Sequence, residues 1–296
     1  MKFERQSTAL AIPRQKRQDR IHNQDTLRGV AVLGILIMNG VSFGLGTTAV
    51  FNVSFDTDAF SIGRSIAIAG EIVAEQKFMA LFSILFGAGI VLFHERLTTR
   101  HGNTKAVRIS LWRNTLLLLM GIIHNFFWDG DVLLIYAISA PLILAARNLP
   151  IVALFASGIG ILLLSPISVL AIHLYIDAQG QALGMMLIGI GLYRTGFLSG
   201  TASTRLYRFT ALSGTAIGWL LAACGVMWIS AEGFTTDVAL LGGIPNSLGT
   251  LPAALGYIAI ITLSAQHMPK RWLHRIAMAL CHTPTTFAAS KVARSY

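Results

Sequence analysis

The feature that most constrains this chain is a series of long, uncharged apolar runs that recurs along nearly its whole length. A helix that crosses a bilayer needs roughly 20 mostly apolar residues, with few charges in its middle. Eight runs fit this description, with ends accurate to a few residues: 29–46, 78–95, 111–128, 132–147, 150–172, 182–199, 209–230 and 247–266. Apolar residues make up 54% of the chain and charged residues only 12%, which argues against an ordinary soluble domain.

The charges between these runs predict how the chain is threaded. Lys and Arg gather before the first run and after the second, fourth, sixth and eighth, whereas the alternate junctions hold mainly Asp and Glu. Cytoplasmic loops of membrane proteins carry an excess of Lys and Arg. The expected fold is therefore all-α, a polytopic integral membrane bundle of about eight transmembrane helices. We expect a multi-pass protein of the bacterial inner membrane with a cytoplasmic N-terminus.

Three segments follow from this pattern. Residues 1–26 are expected to form a basic cytoplasmic tail, 27–275 the transmembrane bundle, and 276–296 an irregular tail. The apolar character that resumes after the eighth junction breaks off at Cys281, which indicates a truncated or frameshifted end. Between the first two runs, an apolar stripe at helical spacing predicts a short helix over residues 62–73, lying along the outer surface.

Two polar blocks flank the first two spans. Asp25 and Arg28 stand where the first span meets the cytoplasm, and Lys77 begins the second span at its outer end. The Asp–Arg pair is either an interfacial anchor or a site for a phosphate-bearing donor, with Arg28 as the bidentate group. Lys77 either extends to the interface or lines an outer cavity that Asn39 also approaches.

His124 is an ionisable residue inside a predicted span. It lies about one turn below Trp128, at the outer end of the third run, and Asp129 and Asp131 follow in the hairpin that folds back over it. A histidine beside carboxylates is a candidate general base. A neutral histidine that is hydrogen-bonded between helices is the alternative. The chain has two cysteines, so no cysteine-based metal site is expected.

The order of these motifs resembles the YeiB family of bacterial membrane proteins. The shared blocks are Asp25-x-x-Arg28-Gly29, Lys77-Phe78 with Leu81-Phe82-Ser83-x-Leu85-Phe86-Gly87, then Arg113, Gly121-x-x-His124 and Gly130-Asp131-x-Leu133-x-x-Tyr136-Ala137. The resemblance covers residues 20–145, whereas residues 146–275 are similar in hydropathy only. It implies membership of a wider set of transmembrane acyltransferase-like proteins, in which a cytoplasmic acyl donor serves an acceptor on the far side and a histidine takes part.

This resemblance favours transfer of an acyl group across the membrane to a hydroxyl or amine of an envelope sugar or small metabolite. In that hypothesis Arg28 and Arg113 hold the phosphates of a donor such as acyl-CoA. His124 removes the proton of a periplasmic acceptor, and Asp131 orients the imidazole. The remaining predicted substrate-binding residues are Asp25, Asn39 and Lys77.

Two other functions stay open. One is a transporter or permease in which His124, Lys77 and the carboxylates of the hairpin form a polar pathway. The other is a membrane scaffold without chemistry. In every case the lipid bilayer is the expected partner, and no bound cofactor or metal is expected. Nucleic acid is not expected either, because the net charge of +10 is spread over the loops between spans.

Overall fold

The structure is a computed structural model that describes residues 23–36, 62–127, 132–168, 174–232 and 236–267. In these ranges the chain forms α-helices and one short 3-10 helix, Phe197–Ser199, without a β-strand. The helices are α1 (residues 23–36), α2 (Ile62–Val73), α3 (Lys77–His101), α4 (Asn103–Asn125), α5 (Leu133–Ala146), α6 (Ile151–Ser168), α7 (Leu174–Arg194), α8 (Thr204–Glu232) and α9 (Thr236–His267).

The predicted all-α fold is confirmed. Each of the eight apolar runs overlaps one helix, from α1 and then α3 through α9, and the short helix predicted between the first two runs is α2. Hydrophobicity and length alone locate these elements, because a membrane helix satisfies its backbone hydrogen bonds within itself.

Close packing between backbones fixes α3 against α7. A Cβ at Gly87 of α3 would collide with the backbone of Met186, and a Cβ at Gly189 of α7 would collide with the backbone of Ile84. Glycine at these two positions therefore allows α3 and α7 to pack more closely than a larger residue would allow, as is common in membrane bundles. This contact makes α3 a central helix on which the polar residues of interest are arranged.

Within the described ranges, four helical segments are long and apolar enough to cross a membrane by length and composition: Ile68–His101, Asn103–Asn125, Thr204–Ala231 and Leu241–Gln266. Shorter apolar helices run over Leu133–Ala146 and Ile151–Ser165. Large apolar side chains on α4 and α8 face outward, with Met120 61% and Leu212 76% exposed. Water-soluble proteins rarely expose such surfaces, so the chain is a helical membrane bundle.

The helix ends gather at two ends of the bundle. At the first, which we call the arginine end, Asn23 Nδ2 donates to the Leu198 carbonyl oxygen at 2.9 Å and Tyr193 Oη donates to Glu95 Oε2 at 2.8 Å. At the other, which we call the lysine end, the turn between α2 and α3 meets α9 at Asn246. Junctions that the charge pattern assigns to the cytoplasm thus share the arginine end.

Residues 23–26, assigned from the sequence to the tail, are helical and largely buried. The physical reason is that their polar side chains find partners far along the chain. Asn23 Nδ2 also donates to Thr262 Oγ1 at 3.3 Å, and Gln24 Nε2 donates to Ser199 Oγ at 3.4 Å. The tail assigned to residues 276–296 lies outside the described residues.

Candidate functional site

Lys77 lies at the turn between α2 and α3 and is fully buried. Its Nζ donates hydrogen bonds to the Glu71 carbonyl oxygen at 3.0 Å and to Asn246 Oδ1 at 2.6 Å. The preceding residue, Gln76, has a φ of 57°, a left-handed conformation that residues other than glycine seldom adopt. Such strain persists only where surrounding contacts hold it. Lys77 is therefore held inside the protein and does not extend to the interface.

Lys77 also caps the C-terminus of α2. The last carbonyl groups of a helix have no partner within it and carry the negative end of its dipole, so a cation there is stabilising. Lys77 takes the Glu71 carbonyl, and Tyr257 Oη donates to the Val73 carbonyl oxygen at 2.5 Å. Tyr257 Oη in turn accepts from Trp219 Nε1 at 2.8 Å. These contacts fix α2 on both α8 and α9.

Two carboxylates offset the buried charge of Lys77. Glu71 and Glu75 are half-buried, and both lie near enough to Lys77 for an electrostatic attraction. Burying an isolated ammonium group costs several kcal/mol, and opposite charges with good hydrogen bonds reduce that cost. We call Glu71, Glu75, Gln76, Lys77 and Asn246 the lysine cluster.

Beyond the lysine cluster, the next turns of α3 make aromatic contacts with α5. Tyr136 of α5 is buried, and its Oη lies 2.9 Å from Ser83 Oγ of α3. Its ring lies over Phe86 with centroids 5.1 Å apart and beside Phe82 with centroids 5.5 Å apart. The phenylalanines at steps of four along α3 are therefore packing residues.

Arg28 and Arg113 approach the same side of α3 towards the arginine end. Arg28 Nη1 lies 3.4 Å from Asp25 Oδ1, and its Nη2 lies 3.4 Å from the position that a Cβ would take at Gly89. The guanidinium carbon of Arg113 lies 4.1 Å from the ring centroid of Phe93. Gly89 and Phe93 are one turn apart on one helical face. We call Arg28 and Arg113 the arginine pair.

The lysine cluster and the arginine pair meet α3 at different levels, the first at its start and the second beside its middle. Lys77 precedes Gly89 by twelve residues, which at ~1.5 Å per residue separates the two levels by about 18 Å along the axis. The side chains of Arg28 and Asp25 are each 36% exposed, and Arg113 is exposed. The guanidinium groups of the arginine pair therefore lie at the surface of the protein, whereas Lys77 is enclosed.

His124 lies in the last turn of α4, and its side chain is exposed. One turn earlier, Gly121 packs against the backbone of Leu134 at the start of α5. This places His124 at the lysine end of the bundle, the end that the sequence predicts for it. The hydrogen bonds of Lys77 go to α2 and α9, so α4 does not contribute to holding that ammonium.

His94 is a buried histidine that sequence reasoning missed, although it stands inside the second apolar run. It is 4% exposed, and its Nε2 lies 3.2 Å from Asn103 Oδ1. A hydrogen bond to this amide oxygen requires the tautomer that carries a hydrogen on Nε2. Nδ1 is buried and has no hydrogen-bond partner in the described part of the chain. The contact ties the end of α3 to the start of α4.

Asn246 was also missed, although an amide at the edge of the last apolar run is the kind of residue that bonds between membrane helices. Among the predicted site residues, the structure describes Asp25, Arg28, Lys77, Arg113 and His124, while Asn39 and Asp131 lie outside the described residues. Within the described ranges, no group of three or more His, Cys, Asp or Glu side chains is placed to hold a metal ion.

The fold and these polar groups define a helical membrane bundle, and comparison with known proteins places it in a family. Over 80% of this chain and 72% of the relative, it is 30% identical to "Uncharacterized protein YeiB" of Escherichia coli (strain K12). It is 26% identical to "Uncharacterized protein YxaH" of Bacillus subtilis (strain 168), over 86% of this chain and 60% of that protein. The chain belongs to the YeiB family.

A family model described as "Protein of unknown function (DUF418)" matches residues 192–280. The likeness therefore extends well beyond residue 145, and the expectation that residues 146–275 share only hydropathy with the family is wrong. The α8–α9 pair, which supplies Asn246 to the lysine cluster, belongs to the matched region. No solved structure matches the chain.

Proposed function

We propose that this chain is a multi-pass inner-membrane protein that transfers an acyl group from a cytoplasmic donor to an acceptor on the outer side. The observation that carries the proposal is the arginine pair, in which two exposed guanidinium groups meet one face of α3, one at its middle and one a turn nearer the predicted cytoplasmic end. Guanidinium groups bind phosphate through paired hydrogen bonds. Acyl-CoA would present its phosphates to Arg28 and Arg113.

The placement of Arg113 and His124 at different levels of α4 supports this reaction. A donor held by its phosphates at the arginine pair has a long flexible arm that can carry the thioester towards the lysine end. There His124 would take the proton from an acceptor hydroxyl or amine as the acceptor attacks the thioester carbonyl. The carbon–sulfur bond breaks, the new ester or amide forms, and the leaving thiolate takes up a proton. Asp131 would orient the imidazole.

The proposal is tested by the stability that a donor gives to the purified protein. A ligand that binds only the folded state stabilises it by about 2.7 kcal/mol at a hundredfold excess over Kd. Acyl-CoA, and CoA without an acyl chain, should therefore both raise the unfolding temperature in detergent. The variants Arg28→Gln and Arg113→Gln should lose most of this shift.

Arg108→Gln is the matched control, because Arg108 is exposed on the same helix as Arg113 but lies more than a turn away. It should keep the full shift. The proposed donor site is wrong if CoA does not stabilise the parent protein, or if the Arg28 and Arg113 variants are stabilised as strongly as the control.

His124 has a separate test. Once an acceptor is known, His124→Ala should lower the transfer rate by about 10²–10⁴, the usual contribution of a general base. Its stability should stay close to that of the parent, because the side chain is exposed. A fully active His124→Ala protein would remove His124 from the mechanism.

A proton-coupled transporter is the second candidate, and the lysine cluster favours it. A buried ammonium group beside carboxylates within a membrane bundle is typical of proton and substrate pathways. In proteoliposomes with an imposed pH gradient and a trapped pH-sensitive dye, such a protein would dissipate the gradient without acyl donor. Lys77→Met should stop this flux. If the dye records no protein-dependent flux, this proton-coupled candidate fails.

A further inference from the structure

The α3 helix of the α3–α4 hairpin is longer than the hydrocarbon core of a bilayer is thick. α3 contains 25 residues, so it is about 37 Å long at ~1.5 Å per residue, whereas the hydrocarbon core of a bilayer is about 30 Å thick. Gly102, with a φ of 79°, turns the chain directly from α3 into α4. The buried start of α3 lies at the lysine end, so the extra length projects at the arginine end.

The projecting part of this hairpin carries a concentrated positive charge. Residues 96–113 contain no Asp or Glu, so its cations have no counter-charge within the segment. Arg96 and Arg100 share one face of α3, and Lys105 and Arg108 share one face of α4, by helical spacing. All four side chains are exposed: Arg96, Arg100, Lys105 and Arg108. We call these four residues the hairpin cations.

The hairpin tip is held rigidly, so that the two pairs of cations stay together. His94 bonds across the turn to Asn103 at 3.2 Å, which ties the end of α3 to the start of α4. Thr98 Oγ1 donates to the His94 carbonyl oxygen at 2.9 Å, and the Gly102 amide donates to the Thr98 carbonyl oxygen at 3.0 Å. A preformed arrangement of charges loses less entropy on binding than a mobile one.

Exposed apolar residues follow the cations on the same helix. Trp112 is 63% exposed and Leu116 44% exposed, one and two turns beyond Arg108. Tryptophan is enriched where a membrane protein crosses from headgroups to hydrocarbon. The surface therefore has cations at headgroup depth and apolar side chains directly beneath them.

We infer that the hairpin cations form a binding site for an anionic phospholipid of the cytoplasmic leaflet. The lipid phosphate and its anionic headgroup contact the four cations, and the acyl chains lie along the exposed apolar side of α4. A phospholipid satisfies both parts of this surface at once. A soluble anion or a nucleic acid would leave Trp112 and Leu116 uncovered. Juxtamembrane clusters of Lys and Arg bind anionic lipids by the same electrostatic attraction.

The test compares phosphatidylglycerol with phosphatidylcholine on delipidated protein in detergent, with bound lipid counted by native mass spectrometry. The parent protein should retain phosphatidylglycerol in preference to phosphatidylcholine, and more weakly as salt is raised. A variant with Arg96, Arg100, Lys105 and Arg108 all replaced by Gln should bind phosphatidylglycerol at least tenfold more weakly. Its unfolding temperature without lipid should stay near that of the parent, because all four side chains are exposed.

The double variant Arg205→Gln with Arg208→Gln is the matched control, since both side chains are exposed near the start of α8 at the arginine end. It should retain the lipid. The inference is overturned by equal retention of the two lipids, by equal loss in the control, or by full displacement with soluble glycerol phosphate. The hairpin variant should still be stabilised by CoA, so this test can fail while the donor site stands.

Discussion

Lys77 at the start of α3 and the arginine pair beside its middle are cations in opposite environments. Lys77 is enclosed, donates to two oxygen acceptors and lies beside two carboxylates. Arg28 and Arg113 are accessible, the first paired with Asp25 and the second stacked on Phe93. A buried charge with such partners holds a fold together, because removing one partner leaves the others unsatisfied. An accessible guanidinium group remains available for a ligand.

This comparison leads to two opposite gradients along α3. The stability lost on substitution should be largest at the lysine cluster, smaller at the aromatic contacts of the next turns and smallest at the arginine pair. The loss of donor binding should run the other way. Each of the following changes tests one level of α3, with the largest expected loss of stability first.

Lys77→Met should have the largest effect on stability. It leaves Asn246 Oδ1 and the Glu71 carbonyl without their donor, and the nearby carboxylates without their counter-charge. A hydrogen bond to a charged group contributes about 1.5–3 kcal/mol, so losing both should cost about 3–6 kcal/mol. The free energy of unfolding, followed by helical circular dichroism during titration with SDS, measures the loss. If Lys77→Met lowers the free energy of unfolding by less than Arg113→Met does, the expected order of stability losses along α3 is wrong.

Asn246→Ala should cost less, about 1–3 kcal/mol, because Lys77 loses one acceptor but keeps the other. Asn246→Asp is its control, since a carboxylate restores an acceptor for the ammonium group and adds an opposite charge. The same SDS titration should rank the parent and Asn246→Asp well above Asn246→Ala. If Asp is no better than Ala, the 2.6 Å contact contributes nothing measurable.

Tyr136→Phe removes the hydroxyl beside Ser83 and keeps the ring between Phe82 and Phe86. Hydrogen bonds between membrane helices contribute on average about 0.6 kcal/mol, and we expect a loss of that size. Tyr136→Leu should cost more, since the ring contacts contribute a further ~0.5–1.5 kcal/mol. Equal losses in the two variants would mean that the ring contacts are energetically unimportant.

Arg113→Met should change stability less than Tyr136→Leu does, because an exposed cation over an aromatic ring contributes only about 0.5–1 kcal/mol. It should nevertheless abolish most of the stabilisation by CoA, which Tyr136→Phe should leave intact. The unfolding temperatures of the two variants, measured with and without CoA, test whether only Arg113→Met loses the stabilisation by CoA. If both variants respond to CoA as the parent does, ligand binding does not follow the gradient proposed along α3.

The sequence predicts the helices of this fold and the grouping of its junctions well, because hydrophobic length and loop charge act locally. It does not reveal which polar side chains meet. Lys77 and Asn246 are 169 residues apart, and their contact depends on how α9 packs against the α2–α3 turn. For the same reason, the sequence was compatible with both an interfacial position and a cavity position for Lys77. Only the packing of α9 against the α2–α3 turn shows that Lys77 lies in the interior.

The candidate site, too, could be predicted only in part from the sequence. The sequence singled out Arg28 and Arg113, but their approach to neighbouring turns of α3 depends on the packing of α1 and α4. Asn39 and Asp131 lie outside the described residues, so their roles remain predictions. His94 escaped notice because an ionisable residue near the end of an apolar run looks like the start of a loop, although its side chain is buried.

The proposed function requires the arginine end to face the cytoplasm, since only there would a cytoplasmic acyl donor find Arg28 and Arg113. Single cysteines at Thr104 and Thr235, in a background with Cys224→Ser and Cys281→Ser, test it directly. Thr104 is exposed in the first turn of α4, whereas Thr235 belongs to a junction predicted to be outer. An impermeant maleimide should label the Thr235→Cys protein in intact cells and the Thr104→Cys protein only after the inner membrane is opened. Labelling of Thr104→Cys in intact cells would place the arginine end outside, where a cytoplasmic donor cannot reach Arg28 and Arg113.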